Sequence, residues 1–188
     1  MKTTRTIVGA LAALALLVVT GAALAQGFAT IKGTSGNDTL TGTSESDRIV
    51  ALAGDDAVHG GDGNDRIHGN RGKDTLSGDG DNDRILGGPD DDTLDGGDGN
   101  DLLRGRSGND TIDGGHGNDV IWVGRGADVE NGGDGDDKLH ALADDNQVDR
   151  IDCGPGKDTV WLNSKESDTH VNCEIVKTVT VTTDGGDD

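Results

Sequence analysis

An aspartate recurs at every ninth residue: Asp38, Asp47, Asp56, Asp65, Asp74, Asp83, Asp92, Asp101, Asp110, Asp119, Asp128 and Asp137. Carboxylates in such number can do two kinds of chemistry. Two that face each other in a cleft can act as general acid and base, as in glycoside hydrolysis. A regular file of them offers hard oxygen donors to a divalent cation. The residue two places after each aspartate helps to decide between these. It is Leu40, Ile49, Val58, Ile67, Leu76, Ile85, Leu94, Leu103, Ile112, Ile121 and Leu139, with Glu130 the single exception. Carboxylates in fixed phase with an aliphatic side chain describe a stacked structural unit and not one cleft.

The unit that positions these carboxylates is nine residues long. Copies start at 33, 42, 51, 60, 69, 78, 87, 96, 105, 114, 123 and 132, so 12 × 9 = 108 residues share one register. With positions numbered one to nine, aspartate stands at six and the aliphatic residue at eight. Position one is Gly except at Ala51 and Val123, and position four is Gly except at Glu45, Asp81 and Asp90. Positions one to six therefore carry turn chemistry, because Gly accepts positive φ freely and Asn and Asp tolerate it. Positions seven to nine, as in Arg66-Ile67-His68, predict a three-residue strand with one side chain inward and two outward. One copy carries the chain across and the next returns it, so a coil is two copies long and equivalent residues stack about 4.8 Å apart. Pro89 and Pro155 fall at position three, in a turn, where no ladder amide is lost.

Stacking creates an electrostatic problem. Asp38, Asp56, Asp74, Asp92, Asp110 and Asp128 fall in one column, and the other six aspartates fall in a second. Carboxylates about 5 Å apart repel by about 3 kcal/mol at an effective dielectric near 20. A core of one aliphatic residue per copy is thin compensation. A cation between successive turns relieves the repulsion. Carboxylates with turn carbonyls suit Ca2+ better than Mg2+, which prefers a tight octahedron and keeps its waters. Metal binding and folding are expected to be a single event.

The unit Gly-Gly-x-Gly-x-Asp-x-aliphatic-x is clearest at Gly60-Gly61-Asp62-Gly63-Asn64-Asp65-Arg66-Ile67-His68 and at Gly96-Gly97-Asp98-Gly99-Asn100-Asp101-Leu102-Leu103-Arg104. It resembles the hemolysin-type calcium-binding repeat, or RTX nonapeptide. The resemblance covers residues 33–140. It implies an all-β fold, a parallel β-roll (right-handed β-solenoid), with multiple Ca2+ ions held between adjacent turns. It implies that the twelve aspartates contribute side-chain oxygens, and that turns such as Gly61-Asp62-Gly63 and Gly97-Asp98-Gly99 contribute carbonyls. Several copies depart from the pattern. Ser44-Glu45-Ser46 replaces a Gly-bearing turn, and Asp81 and Asp90 put close backbone approach in doubt. Glu130 would point a carboxylate into the core, which is costly, so a slip that places Val129 inward is expected.

The flanks read differently. Lys2 and Arg5 precede an apolar run from Ile7 to Ala25 that ends in Ala23-Leu24-Ala25. A membrane anchor is the rival reading, but the basic front, the break at Gly21 and the small-x-small triplet favour a signal peptide over residues 1–25. Its removal would take the net charge from −20 to −22, because two cations leave and no acid does. Secretion into an extracellular, disulfide-permissive medium is the expectation. Residues 26–32, with Phe28 and Ile31, form an N-terminal lead-in and cap. After Ala141-Leu142-Ala143 interrupts the register, Asp149 and Ile151, then Asp158 and Val160, resume positions six and eight, and Asp168 marks a last degenerate copy. Residues 141–176 form a C-terminal cap in which Trp161 and Val171 help to close the core. Cys153 and Cys173, the only cysteines, are expected to pair in a disulfide worth about 3 kcal/mol. Zinc would need more soft ligands than these two supply. Residues 177–188 are an acidic tail.

Composition narrows the function. Aromatics are one Phe and two Trp, and Gly is 33 of 188 residues, which suits a stacked fold better than a packed globule. A net charge of −20 repels nucleic acid and anionic membrane and attracts cations. The five histidines, His59, His68, His116, His140 and His170, show no metal-ligand spacing and read as solvated surface. Neither a His-Glu-x-x-His helix nor a Gly-x-Ser-x-Gly elbow occurs, so no enzyme is expected. The expected partners are calcium ions. Beyond them stand a cell-surface or matrix polysaccharide, as for an adhesion module, or a secreted protein such as a hydrolase that this chain serves as a non-catalytic subunit.

Overall fold

A computed structural model describes residues 30–181 and, before them, the backbone of two short strands. Every strand pairs in parallel, and the described residues contain no helix. One sheet has ten strands in the order β1 (Thr6–Val8), β3 (Thr30–Lys32), β5 (Arg48–Ala53), β7 (Arg66–Arg71), β9 (Arg84–Pro89), β11 (Leu102–Ser107), β13 (Val120–Arg125), β15 (Lys138–Ala141), β17 (Thr159–Asn163) and β19 (Ile175–Val179). The other has nine, from β2 (Leu16–Val18) through β4 (Thr39–Thr41), β6 (Ala57–Gly61), β8 (Thr75–Asp79), β10 (Thr93–Asp98), β12 (Thr111–His116), β14 (Val129–Asn131) and β16 (Arg150–Asp152) to β18 (Thr169–Val171). Odd and even strands segregate because each nonapeptide crosses the molecule once. This is the parallel β-solenoid that the repeat predicts.

The register fixes the core. Ile49, Ile67, Ile85 and Leu103 stand opposite one another in the ten-stranded sheet, and Leu40, Val58, Leu76, Leu94 and Ile112 in the nine-stranded one. All are buried. From β3 and β4 onward the pairing step is 18 residues up to the interruption at 141–143 and 21 across it, as in Leu139↔Val160 and Val129↔Arg150. The central strands are longer than the three residues expected. Most run five or six residues, from position seven into the next copy. Position one lies two residues beyond position eight and so faces the same way. Ala51, Val123, Ala141 and Cys153 occupy that second inward position and enlarge the core.

Two expectations are corrected. Val129 is 44 % exposed while Glu130 is 1 % exposed, so the strand does not slip. A one-residue slip would turn every side chain of β14 over. Its pairing with both β12 and β16 through Ile112↔Glu130↔Ile151 holds it in place. Trp161 and Val171 do not close the core either. Val160 and Leu162 are the buried residues of β17, Trp161 alternates outward between them, and Val171 is 55 % exposed.

Cys153 and Cys173 are joined, tying the ends of β16 and β18. The expected signal peptide lies outside the described residues, apart from the backbones of β1 and β2, which pair with β3 and β4. Phe28 lies outside them too. The tail reading at 177–188 starts within β19, and residues 182–188 lie outside the described residues.

Candidate metal centre

Each aspartate at position six sits at the end of a turn, immediately before its strand. All twelve are buried, from 0 % exposed at Asp47 to 7 % at Asp38. They are strung together one coil apart. The amide of Asp47 donates to Oδ1 of Asp65 at 2.7 Å, that of Asp65 to Oδ1 of Asp83 at 2.7 Å, and that of Asp101 to Oδ1 of Asp119 at 2.8 Å. The second column repeats this from Asp38→Asp56 to Asp110→Asp128. Past the interruption, Asp128 and Asp137 donate to Asp149 and Asp158, Asp149 donates to Asp168, and Asp158 ends its column on Glu174.

One oxygen of each column carboxylate from Asp56 onward is thereby used. The other is buried without a hydrogen-bond partner at Asp56, Asp65, Asp74, Asp83, Asp92, Asp101, Asp110, Asp119, Asp128 and Asp137. An unsatisfied buried carboxylate oxygen is among the costliest groups a fold can hold. These ten copies, starting at 51 to 132, also share a backbone signature. In each, positions two and four have positive φ, from Leu52 and Gly54 through Gly97 and Gly99 to Gly133 and Gly135. Asp81 and Asp90 adopt it at position four as well, so close approach is kept there, and their Oδ2 atoms accept the amides of Gly63 and Gly72 one coil earlier.

The first two copies differ in both respects. Neither turn contains a residue of positive φ. The amide and hydroxyl of Thr34 donate to Asp38 Oδ2 at 2.5 and 2.9 Å, and those of Thr43 to Asp47 Oδ2 at 2.6 and 3.0 Å. A threonine at position two thus bonds to the oxygen that has no hydrogen-bond partner in the later copies. The sequence reading missed this distinction, although Thr34 and Thr43 at position two carry its signal.

Position one shows what surrounds the spare oxygen. A methyl group added at Gly60 would come within 2.6 Å of the Gly78 carbonyl oxygen and closer still to Asp65 Oδ2. Carboxylate and carbonyl oxygens of successive coils therefore converge on a space that glycine leaves clear. Among the described residues no three His, Cys, Asp or Glu side chains gather to hold a metal. An ion in this space would be held by column carboxylate oxygen and backbone carbonyls, which is the donor set that suits Ca2+. Asp62 and Asp98, in the turns Gly61-Asp62-Gly63 and Gly97-Asp98-Gly99, are exposed, unlike the buried column aspartates.

The electrostatics agree. Burial, opposed by the backbone hydrogen bond and reinforced by neighbours in the column, lifts Asp65 to about 7 and Asp83 to about 8. Burial likewise lifts Asp101 to about 6 and Asp119 to about 7. Without a cation the columns hold protons towards neutral pH. A further ladder, not anticipated, runs along position five. Asn82, Asn100 and Asn118 each accept the amide one coil on, at 2.8, 2.8 and 2.7 Å. It ties the turns together without metal.

The family model described as the RTX calcium-binding nonapeptide repeat matches residues 32–67, 59–94, 68–103, 95–130 and 131–160. No curated protein matches the chain.

Proposed function

The chain belongs to the RTX calcium-binding nonapeptide repeat family, and on that footing we propose that it is a secreted, non-enzymatic β-roll whose folding is driven by Ca2+ ions between its coils. One observation carries this reading. Twelve aspartates have a buried Oδ2 without a partner, and ten of them, all but Asp158 and Asp168 of the degenerate C-terminal copies, follow turns whose positions two and four are left-handed. Asp56, Asp65, Asp74, Asp83, Asp92, Asp101, Asp110, Asp119, Asp128 and Asp137 would hold the ions, with carbonyl oxygens of the turns completing each shell. A bound divalent ion supplies the positive charge that stacked carboxylates lack. Asp38 and Asp47, satisfied by Thr34 and Thr43, form an ion-free first coil.

Secretion is supported by the basic front and small-x-small triplet of the leader and by the Cys153–Cys173 bond. No helix among the described residues is long and apolar enough to cross a membrane. Calorimetric titration of the purified chain is expected to count about ten ions, one for each left-handed turn whose aspartate has an orphaned Oδ2. Failure to take up Ca2+ at millimolar concentration would overturn the proposal.

A further inference from the structure

The two sheets differ in charge. Strands of the ten-stranded sheet carry Lys32, Arg48, Arg66, Arg71, Arg84, Arg104, Arg106, Arg125, Lys138 and Lys177, and no Asp or Glu. Strands of the nine-stranded sheet carry one cation, Arg150, against Asp79, Asp95, Asp98, Asp113, Asp152 and the inward Glu130. A chain of net charge −20 has thus cleared one whole face of acid.

Within that face, Arg48, Arg66 and Arg84 stand directly opposite one another on adjacent strands, and all three are exposed. Like charges in that position destabilise a sheet. The ion pairs of the described residues, His59–Asp79, Lys73–Asp91, His116–Asp134 and Lys165–Asp144, involve no arginine. A shallow groove of about 280 Å³ opens beside the column, with Arg66, Arg84, Arg104 and Arg106 around a floor that includes Leu86 and Leu102. Burial, then the charges of Arg48 and Arg106, lower the His68 pKa at its rim. A local violation that lowers stability and recurs on three rungs is the mark of a binding surface.

We propose that this face, from β5 to β11, binds a linear polysaccharide carrying carboxylate groups. Guanidinium matches carboxylate in a bidentate fork. The arginines repeat at the strand spacing of about 4.8 Å along the solenoid axis, so they suit a polymer better than a single anion. The aliphatic floor takes the apolar face of a sugar ring. Ten bound Ca2+ would bring the net charge of −22 left after removal of the leader to about −2, so most long-range repulsion is removed in the loaded state. The proposal rests in this respect on the calcium reading.

The test is binding of the calcium-loaded chain to immobilised hyaluronan, with dextran sulfate and neutral dextran alongside and circular dichroism as the check on folding. Hyaluronan should be retained and neutral dextran should not. Arg66→Ser with Arg84→Ser should weaken binding about tenfold or more with the β-signal unchanged. Asp95→Asn with Asp113→Asn, on the opposite sheet, should leave it unchanged. Four results overturn the proposal: a folded chain that ignores hyaluronan; retention on dextran sulfate alone; loss in the aspartate variant with retention in the arginine variant, which signifies calcium bridging; or sedimentation showing that the arginine face instead binds a second copy of the chain. A chain that does not fold in Ca2+ fails the calcium reading first, and the two failures are separable.

Discussion

The amide of Asp83 donates to Oδ1 of Asp101 at 2.7 Å, and Oδ2 of the same Asp101 is buried with no partner. One carboxylate thus does two jobs. Its first oxygen ties one coil to the next, and its second is left facing the turns. The ladder uses a carboxylate oxygen at position six, and the spare oxygen explains why a cation is wanted.

Asp101→Asn and Asp38→Asn separate these jobs. The first substitution would keep an acceptor for the Asp83 amide but replace the spare oxygen by an amide group. Calorimetry should then count about one Ca2+ fewer. At Asp38 the spare oxygen already accepts from Thr34, so the count should not change. Equal losses at both positions would contradict the division between the first coil and the rest.

Gly60→Ala tests the space itself. Its backbone is not left-handed, so the cost is one of room: the new methyl meets Asp65 Oδ2 and the Gly78 carbonyl. Overpacking of this kind costs about 1–3 kcal/mol, while the site formed by Asp65 should persist, since Ala51 stands at the same position in the copy of Asp56. Thermal melts in saturating Ca2+ should show the lower midpoint.

Glu130→Leu should stabilise. Burial, then Asp149, Asp128 and Asp168, push the Glu130 pKa well above the ordinary carboxylate range, and neither of its oxygens has a partner. An apolar replacement of similar size removes an unsatisfied polar group worth about 1–3 kcal/mol. A raised melting midpoint, with Ca2+ held constant, is the measurement. A fall would mean that Glu130 has a partner of its own.

Acid should partly stand in for calcium. The column aspartates titrate near 3.8 when unfolded, and burial lifts Asp65, Asp92 and Asp119 to about 7 in the metal-free fold. The folded state therefore binds more protons between those values, so metal-free stability is greatest below about pH 4 and falls as pH rises towards 7. In EGTA, far-ultraviolet β-signal should grow as pH drops from 8 to 4. A signal that decreases over this range would contradict the assignment of buried, proton-holding columns.

Much of this is legible in the sequence because the repeat is so regular. Period nine, with Asp at six and an aliphatic residue at eight, specifies the coil, the two columns and the side facing inward. Other features are set by relations between coils. Arg48, Arg66 and Arg84 lie 18 residues apart and become a column only once alternate copies are assigned to separate sheets. The difference between Thr34 and Gly61 at position two is one of backbone φ and of a side-chain bond, which composition alone does not weigh. Glu130 reads as a reason to slip, but pairing on both sides of β14 outweighs the cost of one buried carboxyl. The bulk of Trp161 suggests a core residue. It instead stacks on His140 at 4.4 Å between ring centres, with Trp122 3.8 Å beyond, in an outward ladder across three strands.

The central claim is that ions between the coils and the fold form together. Circular dichroism of the chain in EGTA at pH 7.5, followed by addition of millimolar Ca2+, tests it most directly. A largely unstructured spectrum should convert to β on calcium addition. A complete β-spectrum already present in EGTA would contradict it.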